Sequence, residues 1–298
     1  MNGLLALVAL LAPAGIPFGA STIEVEVKGV KLDVYTYKPE AYKGERMIMV
    51  FHGVLRNADE YRDHSKGMGD RFGALIIAPK FDAERFPSRR YQYGGILNAE
   101  RKAAPPEEWT YALIPALAEE IRKLEEKPQL KYWIIGHSAG GQFVARMSAF
   151  QATGAERHVA ANPGSHLFPT RDLPFGYGFG NLPEELSSDD VLKRYLAAPL
   201  TIYLGTADNG PDQYFDSSEN AMKQGEGRYQ RGKELGRTLE ARLEEGKAAM
   251  AELRSRLAVA IGSSVEDATS PDDLRDAVRR TRSVGSAIQE AVDTLRLG

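Results

Sequence analysis

Tyr132-Trp133-Ile134-Ile135-Gly136-His137-Ser138-Ala139-Gly140-Gly141-Gln142 is the stretch that decides the fold. The apolar run Tyr132 to Ile135 reads as a buried strand, and Gln142 to Phe150 has helical character. Between them lies G-x-S-x-G, Gly136 to Gly140, the pattern of a sharp strand-to-helix turn that holds a serine Oγ clear of a sheet's carboxyl edge. The flanking glycines are a steric requirement, because the two backbones come too close there for side chains. A serine that merely capped the helix would not need glycine on both sides.

Strand and helix patterns alternate on either side of this stretch. Thr22 to Val27 and Lys31 to Tyr37 alternate apolar and polar residues around Lys28-Gly29, which predicts an antiparallel hairpin. Met47 to Phe51 is a continuous apolar run, as a strand buried on both faces requires, and it ends in His52-Gly53. A helix over Ala58 to Phe72 leads to a strand over Ala74 to Ala78, closed by Pro79. An aromatic and basic loop follows (Arg89, Arg90, Tyr91, Tyr93, Gly94, Gly95), and Pro106 opens a helix predicted over Glu107 to Glu125. Further strands are predicted at His158 to Ala161 and Leu200 to Leu204. Such repetition predicts an α/β fold, a doubly wound and mostly parallel sheet with helices on both faces. In these sheets ligands sit outside the carboxyl ends of the strands, where this chain carries His52-Gly53, Ser138, Asn162 to His166, and Asp208.

The chain has 298 residues, a net charge of -3 and no cysteine. The length suits one large α/β domain or one domain plus an appendage, and the charge gives no case for nucleic acid. Disulfides, thiolate catalysis and cysteine-based zinc sites are excluded. No metal or other cofactor is expected. Leu4 to Ala12 is an apolar run followed by Pro13-Ala14-Gly15, with the length of a signal-peptide core and too short to span a membrane. Residues 1–20 are therefore expected to be a signal peptide, and the protein secreted or periplasmic; the other reading is a buried N-terminal element.

From about Ile23 to Lys233 the chain resembles the α/β-hydrolase superfamily, and within it secreted esterases similar to polyhydroxyalkanoate depolymerases and feruloyl esterases. The resemblance rests on V-F-H-G-V-L-R-N (Val50 to Asn57), G-H-S-A-G-G (Gly136 to Gly141), A-N-P-G-S (Ala161 to Ser165) and L-G-T-A-D (Leu204 to Asp208). It implies a serine carboxylic ester hydrolase, acting on a small-molecule or polymeric ester, with Ser138 as the nucleophile. The N–H of Ala139, the residue after the nucleophile, is one expected oxyanion donor, and the resemblance makes Val54 the other. It places the triad acid at Asp208, with Asp212 as the fallback; Asp208 also fits a plain turn residue before Asn209-Gly210. His52 reads as a brace of the oxyanion loop, and His137 as a packing residue. Tyr91, Tyr93 and Phe168 are candidates for substrate-wall aromatics or for core.

The triad base is the gap. The partners should follow the order serine, acid, histidine, yet none of the five histidines (His52, His64, His137, His158, His166) lies beyond Asp208. His166 is the one placed to reach Ser138 from a non-standard position. The fold's last strand is also missing from the sequence. In its place Leu243, Gly246, Met250, Leu253, Leu257 and Ala260, then Leu274, Val278, Thr281, Gly285, Ile288, Val292 and Leu295, form two heptad seams. They predict a two-helix hairpin over 237–298, after a hydrolase domain at 21–236. This tail reads equally as a fused helical module, as a device for self-association or partner binding on a hydrolase lacking its triad histidine, or as foreign sequence joined to the body.

Overall fold

The computed structural model describes residues 15–247 except 209, 211 and 246. The apolar core of the expected signal peptide and most of the expected helical hairpin lie outside the described residues. Seven strands form one sheet in the order β1-β2-β4-β3-β5-β6-β7: β1 (Gly19–Val27), β2 (Val30–Lys38), β3 (Arg46–Phe51), β4 (Leu75–Pro79), β5 (Lys131–His137), β6 (Arg157–Ala161) and β7 (Leu200–Tyr203). β1 and β2 form the antiparallel hairpin read from the sequence, and β2 meets β4 antiparallel. Every other neighbouring pair is parallel. Lys28 and Gly29 both have positive φ, 51° and 77°, as a tight two-residue hairpin turn demands.

β3 is buried on both faces because two cores need it. Met47, Met49 and Phe51 point into the core that holds Phe143 and Leu117, while Ile48 and Val50 point to the opposite side with Ile76 and Ala78. Helix α4 (Ala139–Phe150) follows β5 and is buried from Ala139 to Ala149, so it reads as apolar nearly all round.

Two predicted helices differ in detail. Ala58 to Phe72 is divided at Ser65 into α1 (Ala58–His64) and α2 (Lys66–Phe72). Gly67 and Gly69 weaken the second half as helix formers. Gly69 is nevertheless needed, since a Cβ there would lie 3.1 Å from both Ile76 and Tyr37. The helix predicted from Glu107 begins only at Leu113, as α3 (Leu113–Leu124), after two 3-10 turns separated by extended Trp109. The Thr110 N–H bonds Gly94 O at 2.8 Å, which removes it from any helical ladder at that point.

Beyond β6 come α5 (Glu184–Ser187), α6 (Asp189–Ala197), β7 and α7 (Glu219–Gln224). A last helix, α8, runs through 228–245 without a break at 236. No strand follows β7 among the described residues, so β7 is the sheet edge there, with Tyr203 62% exposed.

Candidate active site

Ser138 sits between β5 and α4 with φ 56° and ψ −116°, a left-handed conformation that a residue bearing a Cβ adopts only under constraint. Its N–H bonds Ala161 O at 2.9 Å and its carbonyl accepts the Gln142 N–H at 3.0 Å, so neighbouring backbone holds both sides of the strained residue. Side chains at the flanking positions are impossible: a Cβ on Gly136 would overlap Gly140 O, and one on Gly140 would overlap Phe51 O. Gly141 is a third such position, since its Cβ would stand 2.8 Å from Ala161 O. The sequence reading had assigned the steric need to the flanking pair alone.

The loop after β3 lies over this turn, since a Cβ on Gly53 would be 3.9 Å from Ser138 Cβ. His52 is fully buried and fixes the loop. Its Nε2 accepts the Phe81 N–H at 3.0 Å, so the ring proton must sit on Nδ1, which donates to Gly53 O at 3.0 Å. Arg56 N–H also donates to Gly53 O, at 3.3 Å. With no cis peptide, the Val54 N–H points opposite to that anchored carbonyl, away from His52. Burial first, and the nearby Arg56 and Lys80 charges, push the His52 pKa down to about 4, so the ring stays neutral and keeps this tautomer near pH 7. Tyr91 donates to His52 O at 2.9 Å and stacks on its ring at 4.8 Å; it is core, as is buried Phe168, while Tyr93 stays partly open.

Arg56 escaped the sequence reading beyond its place in the quoted motif. It has φ 61°, donates to Phe81 O and Phe86 O at 2.9 Å each, and lies 4.3 Å from the Tyr91 ring centre. It clamps the loop to the segment after β4.

Asp208 lies beyond β7, where the acid was expected, but its partner is a cation. Arg228 Nη1 reaches Asp208 Oδ1 at 3.1 Å, and the same guanidinium makes two 2.8 Å bonds to Asp212. The bond to Arg228 is the main cause holding the Asp212 pKa at about 2. Tyr229 N–H also donates to Asp208 O at 3.3 Å, tying the loop to the start of α8. Arg228 had no signal in the sequence, because its partners are 16 and 20 residues away.

His166 does not join the site, contrary to the expectation that it could reach Ser138. It is fully buried, neither ring nitrogen has a hydrogen-bond partner among the described residues, and burial with the Arg146 and Arg231 charges drives its pKa to about 3. Its backbone is locked to α7 by the Gln224 amide, at 3.0 and 2.6 Å. His158 bonds Thr153 Oγ1 at 2.8 Å at the far end of β6, and His64 lies exposed at the end of α1. His137 is exposed at the carboxyl edge, with Nδ1 3.0 Å from Tyr61 OH. Its pKa is lowered by desolvation, opposed by Asp208 and reinforced by Arg228, so its ring does lie within the field of the acid loop. Among the described residues, no imidazole hydrogen-bonds Ser138 Oγ. Among the described residues there is no cluster of three or more His, Cys, Asp or Glu side chains that could hold a metal ion, and no helix long and apolar enough to cross a membrane.

A serine on a left-handed strand-to-helix turn, at the carboxyl edge of a mostly parallel sheet beneath a braced His-Gly loop, defines an α/β-hydrolase. The chain belongs to the α/β-hydrolase superfamily, and two solved structures similar to it are a hydrolase and a depolymerase. It is 32% identical to the solved poly(aspartic acid) hydrolase-1 from Sphingomonas sp. KT-1, matching 77% of this chain and 88% of that one with a TM-score of 0.71. It is also 32% identical to the solved poly(3-hydroxybutyrate) depolymerase from Bordetella parapertussis, over 77% of this chain and 80% of that one, with a TM-score of 0.70. No protein-family model and no curated protein sequence matches it.

Proposed function

We propose that this chain is a carboxylic ester hydrolase that works through an acyl-enzyme on Ser138. The observation that carries this reading is the left-handed backbone of Ser138, held by three glycines that no side chain could replace. Ser138 Oγ attacks the carbonyl carbon, the ester C–O bond breaks, and the proton lost by the serine hydroxyl passes through solvent to the leaving alkoxide, which departs as the alcohol. Water then cleaves the acyl-enzyme. The negative oxygen of each tetrahedral intermediate is held by the N–H groups of Ala139 and Val54, the latter oriented through Gly53 O by His52. Each such donor lowers the barrier by roughly 3 kcal/mol. Asp208 has the acid's place in the chain. With no imidazole on Oγ, turnover rests on the oxyanion donors and on binding, which by themselves give about 10³–10⁴-fold over water.

A second reading is favoured by the Asp208–Arg228 pair and the missing imidazole: a hydrolase-fold protein of impaired turnover whose helical tail, 237–298, serves self-association or a partner. Export through a signal peptide cut at Ala12-Pro13-Ala14, which leaves β1 (Gly19–Val27) whole, and a hydrolase body ending near 236 belong to either reading. Fluorophosphonate labelling and p-nitrophenyl ester hydrolysis, each compared with Ser138→Ala, separate them. Labelling of Ser138 with turnover supports the enzyme, and labelling without turnover supports the second reading. No labelling of Ser138 sinks the nucleophile assignment.

A further inference from the structure

The two oxyanion donors stand on different segments, so their spacing depends on what holds those segments together. Ala139 N–H belongs to the elbow after β5, and Val54 N–H to the loop after β3. The ladder between these strands ends at the pair Phe51 and Gly136, and past that pair the sheet no longer sets the separation. Gly140 packs against Phe51 O and His52 O, which limits how near the segments come and not how far apart they drift. The His52 ring bonds Phe81 N–H and Gly53 O, so it ties its loop toward β4 rather than to the elbow.

A side-chain bond crosses the gap. Tyr61 OH lies 3.0 Å from Nδ1 of His137, the elbow residue before the nucleophile. The same hydroxyl rests on the loop: a Cβ on Gly53 would stand 2.9 Å from it, and 3.9 Å from Ser138 Cβ. Gly53 has no positive φ, so glycine at this position makes room for the phenol and is not demanded by the backbone.

Both ends of the bridge are mounted on regular structure. Tyr61 lies within α1, with its N–H on Asn57 O at 3.3 Å and its carbonyl accepting the Ser65 N–H at 3.2 Å. Its ring packs on the core that holds Ile48, Val50 and Ala58. His137 is the last residue of β5 and pairs with Ala161 of β6. Burial raises the Tyr61 pKa, so the hydroxyl keeps its proton near pH 7 and serves the ring as donor or acceptor.

We propose that the Tyr61–His137 pair is a brace that sets the distance between Val54 N–H and Ala139 N–H, which makes both side chains positioning residues of the oxyanion hole. The inference rests on the hydrolase reading above for the two donors. The Tyr61 ring belongs to packing, and the hydroxyl alone makes the brace. Donors aimed at a developing charge lose their effect steeply, about a hundredfold in rate for a misplacement of about 1 Å. Loss of the hydroxyl should therefore slow reaction at Ser138 without changing how well a reagent binds beforehand.

The test is saturation kinetics of fluorophosphonate labelling, which separates the maximal rate from the half-saturating concentration. Tyr61→Phe, which keeps the ring, and His137→Leu should each lower the maximal rate at least about tenfold, with half-saturation held within about twofold. The double variant should lose no more than either single one, because both remove the same bond. His137→Asn, whose amide sets a hydrogen-bonding atom near the place of Nδ1, should return to within about threefold of the parent. The nitrogen NMR shifts of the His137 ring, identified by their loss in His137→Asn, should move in Tyr61→Phe. The brace is overturned by a maximal rate in Tyr61→Phe within about twofold of the parent, by losses that multiply in the double variant, by His137→Asn reacting no faster than His137→Leu, or by unmoved ring shifts. Should Tyr61→Phe fail to fold, the contrast of Asn with Leu at the exposed position 137 decides. No labelling of the parent chain removes the hydrolase reading and the brace together, whereas a labelled parent with an unaffected Tyr61→Phe removes the brace alone.

Discussion

Acid should unfold this protein steeply, because three imidazoles are buried in the neutral form. His52, His158 and His166 have pKa values of about 4, 4 and 3 in the folded chain, all lowered chiefly by burial, against an ordinary 6.5. Below pH 6.5 the unfolded chain takes up a proton at each ring while the folded chain does not until pH approaches 4. Stability is therefore full above about pH 6.5 and is lost as pH falls through that window. Near pH 5 the unfolded chain holds nearly three more protons, a slope of about 4 kcal/mol per pH unit. Carried to the folded pKa values, the loss is about 3 to 5 kcal/mol for each ring, and the sum rivals the whole stability of an ordinary domain. Urea unfolding at closely spaced pH values between 7 and 5 measures the slope, and His158→Asn should lower it by roughly a third. A slope below about 1 kcal/mol per pH unit across this window would refute the idea that all three rings are buried neutral.

Three substitutions probe the elbow and its loop. Ser138→Gly should abolish fluorophosphonate labelling and yet raise stability by about 1 kcal/mol in urea unfolding, since glycine adopts φ 56° without strain; a less stable variant contradicts the strain. Gly140→Ala sets a Cβ against Phe51 O, and against His52 O at 2.8 Å, both backbone atoms that cannot swing away. A loss above about 4 kcal/mol or failure to fold is expected, and a melting temperature within a few degrees of the parent would show that the backbones are not in contact. His52→Phe leaves the Phe81 N–H and Gly53 O without the ring, at a cost of about 1 to 3 kcal/mol, and should slow labelling of Ser138 by about 10² or more if Val54 N–H loses its orientation. An unchanged labelling rate in the folded variant excludes Val54 as a donor set by His52.

What the residues disclose by themselves is governed by range. The order of β3, β4, β5 and β6 was legible because buried parallel strands must be apolar throughout, and Met47 to Phe51 or Ala74 to Ala78 admit few other readings. The elbow was legible because the residues that must be glycine stand together in the chain, although the backbones that exclude side chains at Gly140 and Gly141, Phe51 O and Ala161 O, lie far off in sequence. Helix starts were less so, since Thr110 gives its N–H to Gly94, a partner that no local pattern marks. The Arg228 contacts with Asp208 and Asp212 form only after α8 is in place, and nothing near Asp208 announces them. Tyr91 shows the same limit: it sits two residues from Tyr93 in one loop, yet it is wholly buried while Tyr93 stays partly open.

Presentation and activation of the serine belong to different parts of this chain. Everything that fixes the backbone of Ser138 comes from β3, β5, α4 and the end of β6, all before residue 163: the three glycines, Phe51 O, Ala161 O and the loop braced by His52. The acid loop is held by Arg228 and Tyr229 at the start of α8. The two parts meet through His137, whose titration feels both Asp208 and Arg228 while its Nδ1 bonds Tyr61. A change after residue 205 can therefore alter how readily the hydroxyl proton leaves without moving the hydroxyl. Labelling by a strong electrophile and acylation by an ester both require the hydroxyl proton to leave, but the fluoride leaving group makes labelling the less demanding of the two. In Arg228→Met, which removes the cation from Asp208 and leaves the elbow untouched, ester turnover should therefore change by more than the labelling rate.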